Sequence, residues 1–295
     1  MNNALLKELG RVISAITSGD YSQGKKIDKL LRKKDIQEDD AVFVESIGLM
    51  TVKLETHDLA LKNTIDDLNS KNADLAESIK NRELFSTIFV GLFLSISLYI
   101  FVLFVADSLN FKSEYFPRFV ELLFFGTCFV IVKKSKLPLT FFGVTLHGAM
   151  KSIKYMFPST MAICIILVMA KYVCIQNDVK GLDGALFYEQ YFNSLLLVYV
   201  PVVVMQEFLA KGVIQTTIEH VLAGRHAKFW SIITASALFG LVHIELSVGI
   251  AIASFLFGLY WGVLYVKSRT LIGVSISHLI IGNLAYLLGF WNYLL

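Results

Sequence analysis

The chain has 295 residues, of which 55% are apolar and only 17% charged, with 23 phenylalanines and a formal net charge of +3. The charges are unevenly placed: residues 1–83 carry 13 Lys+Arg and 15 Asp+Glu, leaving 14 and 9 for the rest. This excludes a single soluble globular domain, a disordered chain and a nucleic-acid binder with a globally basic surface. It predicts a polar N-terminal region, 1–83, followed by a polytopic membrane region, 84–295.

In the first region Leu5, Leu6, Leu9, Val12, Ile13 and Ile16 recur at helical spacing until Ser18-Gly19-Asp20 breaks the pattern. The segment is charged throughout and lacks the continuous apolar core of a signal peptide, so a cytoplasmic N-terminus is expected. A second helical run begins near Asp39, and in it Leu54, Leu61, Leu68 and Leu75 follow one another at intervals of seven. With these leucines at d, the a positions are Thr51, Asp58, Ile65, Asn72 and Ile79, a half-polar seam in which Asn72 favours a parallel pair in one register. A homodimer through residues 39–83 is expected; the alternative is a helix packed within its own chain. Gly19-Asp20 and Glu45-Ser46-Ile47-Gly48 resemble the short motifs of a HAMP signalling linker, over roughly residues 4–70.

Apolar stretches follow near 84–106, 116–132, 155–175, 191–222, 228–244, 247–266 and 271–290, of roughly the ~20 residues that cross a bilayer core. Lys133, Lys134, Lys136, Lys151, Lys154, Arg225, Lys228, Lys267 and Arg269 then fall in loops on one side. By the positive-inside rule these loops and the N-terminus are cytoplasmic and the C-terminus lies outside, in a bacterial inner (plasma) membrane. Leu139 to Met150 reads as a short interfacial helix. The expected fold is an all-α polytopic membrane bundle of about seven spans behind an N-terminal cytoplasmic helical and coiled-coil region. Cys128, Cys164 and Cys174 form no disulfide framework and no metal-binding spacing.

Ionisable groups inside a span are costly unless paired or solvated, so each is a candidate site residue. Five stand out, Glu121, Glu207, Lys211, His243 and His278, with Gln206 and Asn283 as uncharged companions. Glu207 and Lys211 are four apart with Glu first, the order of a helical ion pair. Glu207, His243 and His278 lie on three spans that can converge on one cavity, where a base and hydrogen-bond donors activate water. The His-Glu-x-x-His and Gly-x-Ser-x-Gly signatures are absent, and the spans hold no paired aspartates. Gly258-x-x-x-Gly262 is a close-packing motif.

Gln206-Glu207-Phe208-Leu209-Ala210-Lys211-Gly212 resembles the Glu-Glu-x-x-Phe-Arg-Gly motif of the CAAX protease and bacteriocin-processing (CPBP) family of intramembrane proteases. Phe239 to His243 is similar to its Phe-x-x-x-His motif, and the segment from Phe255 through His278 to its glycine-bearing helix and third motif. Order and spacing agree across about 190–290. The resemblance implies a helical membrane endopeptidase acting on membrane-associated proteins or peptides, at prenylated C-termini in some members. It implies a glutamate and the second-motif His activating water, with the third-motif His and an Asn four residues later holding the oxyanion.

Three positions depart from that pattern. Gln206 replaces the first glutamate, and an amide is not a general base; its neighbour Glu207 points about 100° away on an α-helix. Lys211 replaces arginine, keeping the charge without the fork. Asn283 falls five residues after His278, with Gly282 at the expected place, and a π-bulge would be needed to bring Asn283 back. The expected site is therefore Glu207 and His243 on water, with His278 and Asn283 on the oxyanion and no cofactor. Zinc on Glu207, His243 and His278 is a second arrangement. A catalytically silent relative, serving as a binding or signalling module coupled to the coiled coil, is the other functional reading.

Overall fold

The computed structural model describes residues 3–31, 38–111, 115–188, 195–222 and 224–295, and among them every regular element is helical. The chain divides into two compact units, Met1–Ile79 and Lys80–Leu295.

The first unit contains α1 (Asn3–Thr17), a 3₁₀ turn (Tyr21–Gln23), α2 (Gly24–Leu31) and the first part of α3 (Glu38–Ser108). Leu9, Val12, Ile16, Ile27, Leu30 and Val44 bury its core. The helical pattern stops where Gly19 takes φ +87°, a conformation open to glycine at no steric cost. Asp20 then caps the turn, accepting from the Ser22 hydroxyl at 2.5 Å and the Ser22 amide at 3.2 Å. The Ser22 hydroxyl holds the Asp20 carboxyl below its usual value. Gly48 lies against Ile27, and the Tyr21 hydroxyl donates to Asp58. Two of the heptad's a positions are thus engaged by the chain itself, with Thr51 buried and Asp58 bonded. Leu61, Ile65, Leu68, Leu75 and Ile79 are exposed.

The second unit continues α3 and adds α4 (Tyr115–Lys134), a 3₁₀ turn (Leu139–Phe142), α5 (Ala149–Gln176), α6 (Leu195–Glu207), a π-helix (Phe208–Gln215) and α7 (Thr216–Leu222). It closes with α8 (Ala227–Val242), α9 (Val248–Ser268), α10 (Leu271–Leu287) and α11 (Phe290–Leu294). Helices α3, α5 and α9 are long and apolar enough to cross a membrane, and α8 and α10 are shorter apolar helices. Leu122, Phe129, Phe157, Ile166, Phe229 and Leu256 are more than half exposed, as expected where lipid rather than water solvates the surface. This is an all-α integral membrane bundle. Residues 191–194 of the expected fourth span lie outside the described residues.

The segment 139–150 forms no interfacial helix. A single 3₁₀ turn, Leu139–Phe142, ends at Gly143 (φ +82°), and α5 starts after Gly148 (φ +78°). The reason is tertiary: Phe142 is fully buried and packs edge-on against Phe208, and the backbone turns away at the two glycines.

Between helices in lipid the hydrophobic effect offers little, so close approach at small residues carries the packing. A Cβ on Gly258 would lie 3.0 Å from that of Ser236, and one on Gly262 would lie 2.9 Å from Ile232, so both glycines seat α8 on α9. On the same face of α8, Gly240 lies against the Ala251 carbonyl of α9. Gly212 in the π-helix leaves no room for a side chain beneath the Phe142 carbonyl. Gly212→Ala is therefore expected to cost about 1–3 kcal/mol, the usual range for overpacking. The check is thermal unfolding of the solubilised protein, with Gly126→Ala, which faces open space, as an unaffected control.

Candidate functional site

The site is built on the junction between α6 and the π-helix. Glu207 is the last residue of α6, and from Phe208 the backbone changes to i→i+5 bonding. Glu207 is fully buried. Its Oε1 lies 2.7 Å from Nδ1 of His278, which α10 presents 71 residues later. His278 is held on every side. Its Nε2 lies 3.1 Å from the Tyr199 hydroxyl on α6. Its ring stacks on Trp261 at 3.9 Å and 20°, and Phe239 and Tyr199 meet it at right angles. The Trp261 indole donates to the Ser277 hydroxyl at 3.2 Å, and Ser277 lies 2.7 Å from the hydroxyl of Thr160 on α5. The second oxygen of Glu207, Oε2, is buried and has no hydrogen-bond partner among the described residues.

A carboxylate on Nδ1 makes that nitrogen the donor, which leaves Nε2 of a neutral imidazole as acceptor. His243 obeys the same logic at the end of α8. Its Nδ1 lies 2.7 Å from the Phe239 carbonyl, so Nδ1 carries the proton and Nε2 is the acceptor. The Phe239 ring lies 4.6 Å from the His243 ring and 6.2 Å from the His278 ring, so one phenylalanine borders both histidines.

The expected ion pair between Glu207 and Lys211 does not form. Lys211 is fully buried, and its Nζ donates to the Gly258 carbonyl at 2.8 Å. Gln215, four residues on, donates to the Gly262 carbonyl at 3.1 Å. Two side chains of the π-helix thus bond two carbonyls of α9 left accessible by glycine. The Thr216 hydroxyl, donating to the Lys211 carbonyl at 3.2 Å, steadies the widened turn. Glu207, turned toward α10 instead, takes a histidine as its partner.

Of the remaining candidates, Gln206 and Asn283 are half-buried, and neither bonds to Glu207, His243 or His278. Helix α10 is regular from Leu271 to Leu287, so no π-bulge restores Asn283 to the place of Gly282. The π segment falls instead on the chain that carries the first motif. Both nitrogens of His278, one of the three residues of the zinc arrangement, are engaged, by Glu207 and Tyr199. Among the described residues no three His, Cys, Asp or Glu side chains are grouped to hold a metal ion. Tyr199, Trp261, Ser277 and Thr160 were not identifiable from the sequence, because an aromatic or hydroxyl residue in an apolar run is ordinary in a span.

If the Glu207–His278 contact supports the packing of α6 on α10, Glu207→Ala should lower stability by about 1.5–3 kcal/mol, the range for a hydrogen bond to a charged group. His278→Ala should do the same, and the double variant should lose less than the sum of the two. Thermal unfolding of the three variants checks this.

Residues 189–283 match the family model for the type II CAAX prenyl endopeptidase Rce1-like proteins. No curated protein and no solved structure matches the chain. The match covers about a third of the sequence, and Glu207, His243 and His278 all fall within it. Over this stretch the chain is similar to the CAAX prenyl endopeptidases, the likeness its motifs carry.

Proposed function

We propose that Glu207 is the general base of an intramembrane endopeptidase that cleaves a membrane-associated protein or peptide. The observation that carries the proposal is the buried carboxylate, with one oxygen on His278 and the other without a partner. A buried carboxylate oxygen left unbonded is costly, and a water there removes the cost. In the proposed reaction Oε2 takes a proton from that water, and the water oxygen attacks the scissile carbonyl carbon. The carbon–nitrogen bond then breaks, and the proton passes to the leaving amine. His278 holds the other carboxylate oxygen, and His243, with Nε2 as acceptor, is a second group able to receive or return a proton. No cofactor is needed for these steps.

A silent relative is the second reading, favoured by one observation: Gln206, which replaces a glutamate, and Asn283, which is shifted by one residue, bond to none of the three ionisable site residues. One experiment separates the two. Peptides released from membrane proteins are compared in cells producing the natural protein, Glu207→Ala, His278→Ala or Gln206→Glu. Catalysis predicts products that fall at least about 100-fold in both alanine variants, in line with the loss of a general base. Identical products in all cells, or products only with Gln206→Glu, would establish the silent reading.

We further propose that the basic ends of the helices lie in the cytoplasm of a bacterial inner membrane, with the N-terminal region on the same side. Lys133 and Lys134 at the end of α4 and Lys267 in the last turn of α9 support this orientation. The exposed row Leu61, Ile65, Leu68, Leu75 and Ile79 supports a parallel homodimer through α3. Leu68→Cys, in a Cys174→Ser background, should give a disulfide-linked dimer of the full-length chain in membranes, whereas a cysteine at exposed Glu77 should not.

A further inference from the structure

Tyr199 stands on α6, eight residues before Glu207, so the two side chains leave one helix about 12 Å apart along its axis. Both nevertheless reach the same imidazole from opposite ends: Glu207 at Nδ1 and Tyr199 at Nε2. Gly282 explains how the tyrosine gets there. It lies one turn beyond His278 on α10, and a Cβ at this position would sit 3.0 Å from both Cε1 and the hydroxyl of Tyr199. That is closer than nine in ten contacts a real Cβ makes. A side chain at 282 would therefore force the tyrosine ring to give way by a few tenths of an ångström. The chain has glycine at 282, and Tyr199 fills the space.

Resting on the proteolytic reading of the site, we propose that Tyr199 is a positioning residue for His278, admitted by Gly282. The donor logic is closed. Glu207 accepts from Nδ1–H, so Nε2 is a lone pair, and the phenol is the donor that satisfies it. The imidazole is thus held in one tautomer and one orientation, between a carboxylate and a hydroxyl on the same helix, with Trp261 preventing tilt. The arrangement follows the general rule that a working imidazole is oriented by a group on its far nitrogen.

The test uses the full-length chain, labelled with ¹⁵N-histidine, in lipid nanodiscs, with His278 assigned by its loss in His278→Gln. Nε2 of His278 should resonate as a hydrogen-bonded acceptor in the natural protein and shift to the position of a free acceptor in Tyr199→Phe, which keeps the ring. Gly282→Ala should move the signal in the same direction, because it pushes the tyrosine ring away from the imidazole. In the Tyr199→Phe background Gly282→Ala should add nothing. An unmoved Nε2 signal in Tyr199→Phe overturns the proposal, and so does a Gly282→Ala shift that persists undiminished in that background. Should Gly282→Ala fail to fold, the isosteric Tyr199→Phe variant still decides. On a substrate identified through the released peptides, Tyr199→Phe should lower kcat about ten-fold, roughly one hydrogen bond's worth, with KM unchanged. An equal rise in KM with kcat unchanged would reduce Tyr199 to a structural or binding role. If Glu207→Ala leaves the peptides unaltered, the proteolytic reading falls, and the spectra still report separately on whether Tyr199 holds His278.

Discussion

A fully buried carboxylate inside a membrane bundle must find a partner, and the partner of Glu207 is on another helix. The 2.7 Å contact with His278 ties α6 to α10 across 71 residues of sequence. Everything near it answers to this requirement. Helix α6 ends at Glu207 and gives way to a π-helix, which rotates the following side chains relative to a regular helix. Lys211 is thereby used on α9 rather than on its own helix. The ring of His278 is fixed by Trp261, Phe239 and Tyr199, so that the carboxylate meets an imidazole with little freedom. A mobile partner would leave a charge in low dielectric for part of the time, and that is expensive.

The backbone pays for this arrangement with glycine. Where lipid replaces water, helices gain little from hiding apolar surface and must instead come close enough for dispersion and for polar groups to reach carbonyls. Gly258 and Gly262 do both tasks: they seat α8, and they leave their carbonyls open to Lys211 and Gln215. Gly212 lets the turn at Phe142 press against the π-helix, and Gly282 makes room for Tyr199. Four glycines on three segments therefore set the distances on which the site depends.

The N-terminal unit follows different physics. Its core is a small apolar cluster, and its turn is held by Gly19 and the Asp20 cap. The heptad read along α3 is divided by use. Thr51 and Asp58 are occupied by residues 20–31 of the same chain, whereas the leucines and isoleucines from Leu61 to Ile79 present a free apolar row. A repeat of seven records that one helix face is apolar, and only packing states which positions the chain covers itself.

The sequence alone determined the helical character, the division between a charged and an apolar region, the glycine spacing of α9 and the family motifs. These are local properties: hydropathy, period and short residue strings are written along the chain and survive without knowledge of what touches what. It also singled out Glu207, His243 and His278 as candidates, because an ionisable residue in an apolar run stands out. It misjudged how they are used. The spacing of Glu207 and Lys211 suggested an ion pair, and residues 139–150 suggested an interfacial helix; both were overruled by neighbours far away in sequence. The tertiary structure decided that Glu207 pairs with His278, that the π segment falls after Glu207 and not beside Asn283, and that Tyr199 occupies the space over Gly282. The physical reason is that a buried polar group takes the best partner within about 3 Å, and which groups lie that close is settled by how helices pack, not by how residues are spaced.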